Sequence, residues 1–142
     1  MMISSRGRYA LRVMIDLAEH ADEGCLPMKE VAQRQSISLK YLEKIMPLLV
    51  AAKLVTGTHG KGGGYRLTRS PRDYPIGEIL RLTEGDLAPV ACLAGEENRC
   101  ERCDECPTLD FWTGLYATVN AYIDRYTLAD LLEEQKRKQG KI

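Results

Sequence analysis

Apolar residues in the first twenty positions recur at a helical spacing. Tyr9, Val13 and Leu17 form one row, and Ala10, Met14 and Ala18 form the row beside it. Ser4 or Ser5 can cap the start, so the pattern predicts a helix over 5–20 that breaks at Asp22-Glu23-Gly24. A second, short helix is predicted from Pro27 to Gln35, with Pro27 at the first helical position and Met28, Val31 and Ala32 facing inward. Ser36-Ile37-Ser38 reads as a turn. Ser38 then serves as N-cap of a third helix whose apolar face carries Leu39, Leu42, Ile45, Met46 and Leu49. Pro47 inside that helix predicts a kink or local adjustment toward its C-terminal half.

Beyond Ala52 the pattern changes. Leu54–Thr58 and Tyr65–Thr68 are short β-capable runs on either side of a Gly-rich tip, which predicts a hairpin. Pro71 ends it, and a helix is predicted over Ile76–Leu82. No period is visible from Glu84 to Cys106, an acidic stretch that reads as a loop. Leu109, Trp112, Leu115, Tyr116, Val119, Tyr122 and Ile123 then form a long apolar stripe, followed by a short helix from Leu128 to about Lys136. The expected fold is mainly α with a small β-hairpin wing: a winged helix-turn-helix plus a long C-terminal helix. The expected divisions are 1–83, a Cys-rich loop over 84–107, and a helical segment over 108–142.

Two helices joined by a tight turn can present the second to the major groove of double-stranded DNA, with polar residues near its start against base edges. Here that region holds Ser38, Lys40, Tyr41, Glu43 and Lys44. Lysines suit phosphates or guanine acceptors, the Glu43 carboxylate suits the cytosine amino group, and Tyr41 suits phosphate or sugar. The hairpin offers His59, Lys61 and Arg66, and its glycines allow the backbone close to a phosphate ridge. The glycine run lacks the Lys-Ser/Thr ending of a P-loop.

Charge supports this orientation. The chain has a formal net charge of zero, but residues 1–70 carry 11 Lys/Arg against 6 Asp/Glu, and residues 71–142 carry 9 against 14. A basic front and an acidic rear follow. A length of 142 residues allows one compact domain with a modest extension. No apolar run approaches the roughly 20 residues that span a bilayer, so no membrane partner is expected. The opening Met-Met-Ile-Ser-Ser-Arg-Gly-Arg lacks a secretory pattern, and a cytoplasmic location is expected. No acid–base pair or nucleophile–His arrangement marks an enzyme.

Four of five cysteines, Cys92, Cys100, Cys103 and Cys106, lie within fifteen residues. Thiolates are soft, anionic ligands, and their close spacing lets one loop wrap iron or zinc. Cys-x2-Cys-x2-Cys-Pro matches part of a bacterial ferredoxin ligand run. Cys25 stands apart beside a turn, and neither His20 nor His59 has a partner at ligand spacing.

Several segments resemble the Rrf-two family of bacterial regulators: Ser-Arg-Gly-Arg-Tyr-Ala-Leu-Arg (5–12), Ser-Ile-Ser-Leu-Lys-Tyr-Leu-Glu-Lys-Ile (36–45) and Gly-Lys-Gly-Gly-Gly-Tyr-Arg-Leu (60–67). Pro-Ile-Gly-Glu-Ile-Leu (75–80) and Thr-Leu-Ala-Asp-Leu (127–131) fit as well, so the resemblance spans nearly the whole chain in the family's order. It implies a homodimeric winged-helix repressor or dual regulator on a near-palindromic site, paired through the helix that follows the Cys region. With the residues above, it assigns Ser5, Arg8, Ser38, Lys40, Tyr41, Glu43, Lys44, His59, Lys61, Gly62, Gly63 and Tyr65 to DNA. His59 stands where related members carry a wing arginine.

The resemblance also implies an iron–sulfur cluster on Cys92, Cys100 and Cys106. Leu109 replaces a histidine that some members use as the last ligand, and Arg8 occupies the place of an acidic ligand used by others. Cys103 becomes the candidate fourth ligand, with Asp104 or Glu105 as substitutes. Zinc, or no metal and a thiol-redox sensor, are the alternatives. Two further function classes remain open: a small electron carrier, and a module controlled by a regulatory protein partner.

Overall fold

The computed structural model describes residues 2–140. Six helices and one hairpin follow in order: α1 (Ser5–Glu19), α2 (Met28–Gln35), α3 (Leu39–Ala51), β1 (Val55–Thr58), β2 (Gly64–Leu67), α4 (Ile76–Glu84), α5 (Leu109–Arg125) and α6 (Leu128–Lys138). The mainly helical class with a two-stranded antiparallel wing is as expected.

The predicted rows of α1 point inward: Ala10, Val13, Met14, Leu17 and Ala18 are buried, and Tyr9 is half-buried. They meet Val31 and Ala32 of α2, Leu42, Ile45, Met46 and Leu49 of α3, and Leu54 and Val55 at the start of the hairpin. Leu39 departs from its predicted place in this face. It is exposed because the first turn of α3 runs past the edge of the core. Pro47 lies on the exposed face of α3, where the carbonyl of exposed Glu43 can turn to water, and the helix continues through it. Pro27 precedes α2 as its N-cap instead of opening it.

Two polar groups organise this core. Asp16, 1% exposed, accepts from the Arg34 guanidinium at 2.7 and 3.1 Å and from the Gln35 amide at 2.9 Å, tying α1 to α2. Tyr74, fully buried, donates to the Leu54 carbonyl at 2.7 Å and accepts from the Thr68 and Arg69 N–H groups at 2.9 and 3.0 Å. One phenol thus anchors both ends of the hairpin. Burial of a polar group is tolerable only when it is bonded in this way.

The last helix returns to the first core. Leu128 is fully buried there, and its N–H donates to the Tyr74 carbonyl at 2.9 Å. Thr127 and Asp130 close a capping box at its start. Between α4 and α6 the chain makes a smaller cluster of Ile76, Leu80 and Leu87, covered by Ile3, Leu11, Tyr116, Ile123 and Leu131.

Helix α5 meets α4 closely at Gly77, where a Cβ would overlap the Asp124 carboxylate. Arg81 seals the contact, reaching both Asp124 oxygens at 2.8 Å and Asn120 at 3.0 Å. Hydrogen bonds from Arg81 hold the Asp124 carboxyl below its ordinary range. A depressed folded-state pKa contributes stability above the ordinary value and loses it as pH falls through the folded one. The pair is exposed, so the effect is small. Asp124→Asn should flatten the acid limb of stability against pH in denaturant titrations. An unchanged acid limb would show that the pair does not produce it.

Candidate nucleic-acid interface and cysteine loop

The turn between α2 and α3 is built around Ser36, a non-glycine residue in the left-handed region (φ 54°). Ile37 is buried beneath it, and Ser38 caps α3 by accepting from the Tyr41 N–H at 3.1 Å. Lys40, Glu43, Lys44 and Pro47 therefore share one exposed face of α3. Tyr41 is half-buried and packs edge-on against Tyr9, with ring centroids 5.3 Å apart.

Tyr9 also lies beneath two guanidiniums, Arg8 at 5.8 Å and Arg12 at 5.4 Å from its centroid. Arg12 continues to the Gln35 carbonyl at the end of α2. Arg6 shares a shallow cleft with Tyr41, Lys44, Ile45 and Leu48. Sequence reasoning assigned Ser5 and Arg8 to this face and overlooked Arg6, Tyr9 and Arg12. The arginines at 6, 8 and 12 were the available signal. Tyr9 sat in an apolar row and read only as core.

In the wing, β1 and β2 pair antiparallel with Val55 opposite Leu67 and Thr58 opposite Gly64. His59, Lys61 and Gly62 are exposed at the tip, while Gly63 and Tyr65 are half-buried. A third short pairing was absent from the sequence reading. Leu26 exchanges hydrogen bonds with Tyr65 at 2.8 and 2.9 Å, so the segment before α2 extends the wing. Gly64 (φ 149°) permits this, since any Cβ would strike the Leu26 carbonyl. Beside it, the Thr58 hydroxyl donates to the Cys25 thiol at 3.1 Å.

The loop begins one residue later than expected. Glu84 belongs to α4, and Gly85 (φ 77°) ends the helix. The loop then contains one short turn at Ala91–Leu93 before α5. Cys92 and Cys100 line an open concavity of about 850 Å³ with Glu96, Glu97 and Arg99. Cys103 lies in the next turn, its N–H donating to the Cys100 carbonyl at 3.2 Å. Cys106 meets the Thr108 hydroxyl at 3.4 Å. That hydroxyl, then the N–H groups of Thr108 and Leu109 and the charge of Arg102, lower the Cys106 thiol below its usual value. The thiolate is the metal-binding form.

All five cysteines are free. Among the described residues, no three Cys, His, Asp or Glu side chains converge on one metal position. The four thiols suit a soft metal chemically, but they are not gathered in this arrangement. The loop must close before Cys92, Cys100, Cys103 and Cys106 can share a centre.

On α5, Tyr116 and Ile123 turn toward the smaller cluster, while Phe111 is 66% exposed, Tyr122 55% and Leu115 37%. Among the described residues, no helix is long and apolar enough to cross a membrane.

A capped recognition helix, a wing braced on the segment before it and a basic, exposed front define a winged helix-turn-helix DNA-binding protein. The family model described as "Rrf2: Iron-dependent Transcriptional regulator" matches residues 3–134. The chain belongs to the Rrf2 family of transcriptional regulators, which are not enzymes. It is 38% identical to protein rrf2 of Nitratidesulfovibrio vulgaris over 135 residues, covering 94% of this chain and 89% of that one. It is 34% identical to the regulator IscR of Aliivibrio salmonicida, covering 98% and 82%. Among solved structures, CymR, the global cysteine regulator of B. subtilis, superposes with a TM-score of 0.77 at 33% identity, covering 94% and 98%. IscR of T. potens gives 0.76 at 32%, covering 98% and 91%.

Proposed function

We propose that the protein is a homodimeric repressor that reports iron–sulfur, iron or redox status through its cysteine loop. The observation that carries this reading is the placement of four thiols, one of them held toward thiolate, between the DNA-binding front and an uncovered helix face. IscR-like relatives support it.

Lys40, Tyr41, Glu43 and Lys44 read the major groove, with Ser38 fixing the start of their helix. Ser5 and Arg8 hold phosphates beside them. His59, Lys61, Gly62, Gly63 and Tyr65 form the wing that meets the adjacent groove. The exposed face of α5 pairs with a second copy, which sets two recognition helices on a near-palindromic site.

Cys92, Cys100 and Cys106 would hold the cluster, with Cys103 as the fourth thiolate. The bound group would supply sensitivity to oxidants and to iron supply. The part of this chain is to order residues 85–108 when the thiolates are engaged and to release them otherwise. A metal-free thiol sensor is the second reading, favoured by the depressed Cys106 thiol.

Anaerobic reconstitution with iron and sulfide tests the proposal. A visible absorption band, iron and sulfide in the protein, and its loss in Cys92→Ala, Cys100→Ala and Cys106→Ala are expected. A colourless protein holding zinc, or no metal at all, would sink the cluster assignment. Operator affinity equal with and without the cluster, at one salt concentration, would sink the sensing role.

A further inference from the structure

The end of α4 touches the start of α1. Glu84, the last residue of α4, accepts through Oε1 from the Ser4 backbone N–H at 3.0 Å and from the Ser4 hydroxyl at 2.7 Å. Ser4 is the N-cap of α1, and its hydroxyl faces the Gly7 N–H at 3.5 Å. A carboxylate at this position faces the positive end of the helix dipole.

Residue 7 leaves room for the contact. Gly7 is buried inside α1, and a Cβ there would overlap Glu84 Oε1. Glycine within a helix is unfavourable relative to alanine. A larger residue at this position would push the Glu84 carboxylate away from Ser4.

A second link runs beside the first. Leu87, three residues past Glu84, is buried with Ile76 and Leu80, and Ile3 packs on the same cluster. The root of the cysteine loop is therefore joined to residues 3 and 4 by one charged and one apolar contact. Ser5 and Arg8, both exposed, lie within the next turn.

We propose that Glu84 is a positioning residue, coupling the cysteine loop through Ser4 to the DNA-facing first turn of α1. The proposal rests on the reading of that loop as a sensor and supplies its route to DNA. A loop movement that draws Gly85 and Leu87 away takes the carboxylate from Ser4. The first turn then frays, and Ser5 and Arg8 lose their fixed placement. Coupling of this kind is reciprocal, so DNA on that turn also steadies the loop.

The test uses amide hydrogen exchange at Gly7 and Arg8, whose N–H groups bond to the Ser4 hydroxyl and carbonyl, in the full-length Cys25→Ser protein before and after a maleimide is attached to the loop thiols. Labelling should speed exchange in the parent by about five- to tenfold, the size expected for loss of one helix cap. Glu84→Ala should exchange fast from the outset and ignore the label. Glu84→Gln, which keeps an acceptor oxygen for Ser4, should restore part of the response. A parent insensitive to labelling, or a Glu84→Ala protein that responds like the parent, would overturn the proposal.

A second arm compares operator affinity with and without the cluster. Glu84→Ala should keep the visible band while the ratio of the two affinities falls to about one. A wild-type ratio retained in Glu84→Ala would again overturn the coupling. If the wild-type protein takes up no cluster, the sensor reading fails alone, and hydrogen exchange still decides whether Glu84 couples loop to helix.

Discussion

Leu115→Asp should turn the protein into a monomer and weaken binding to a full palindromic site by about 10²–10⁴-fold, while half-site binding is retained. The expectation follows from the two sides of α5. Tyr116 and Ile123 face the α4 cluster, and Phe111, Leu115 and Tyr122 are left outside. Leu115 lies between the other two in sequence, so a charge there would be buried at the middle of a paired helix, where it is costly. Leu115 belongs to neither buried cluster, so each recognition helix should keep its own affinity. Sedimentation and titration against full and half sites measure the two effects separately. A wild-type protein that is monomeric at micromolar concentration, or a Leu115→Asp dimer, would refute the pairing through α5.

Asp16→Ala should lower stability by about 3–5 kcal/mol, the range for breaking a buried pair by removing one partner. Three hydrogen bonds from Arg34 and Gln35 end on this one carboxylate. Arg34 is about one-third exposed and can recover water, which places the result toward the lower end. A fall in melting temperature of about 10 °C follows for a chain of this size. Because Arg34 and Gln35 form the end of α2, the loss also loosens the turn that aims α3, and operator affinity should fall with it. Asp16→Asn keeps an acceptor and should lose less. Thermal unfolding that is unchanged in Asp16→Ala would show that the pair is not structural.

What could be read before the fold was seen was local. The rows of α1 and α3, the Ser38 cap and the Gly-rich hairpin all follow from spacings of a few residues. The apolar stripe of α5 was equally plain, yet no residue in it is buried within one chain, so its meaning depends on what covers it. Contacts made across long separations left no periodic trace. Asp16 sat in a helix as an ordinary acidic residue, although Arg34 lies 18 positions on. Glu84 and Ser4 are 80 positions apart, and Leu26 finds Tyr65 only when the hairpin folds back. The cysteines were legible as a donor set by spacing, but spacing does not say whether the loop is open or closed.

The burial of Leu128 in the first core also bears on synthesis at the ribosome. The DNA-binding front lacks one of its core side chains until Leu128 emerges from the exit tunnel. By then the cysteine loop and the long helix have already been made. A nascent chain therefore completes its DNA-binding core only when its sensing segment is present, and no stage of translation yields a finished reader without it.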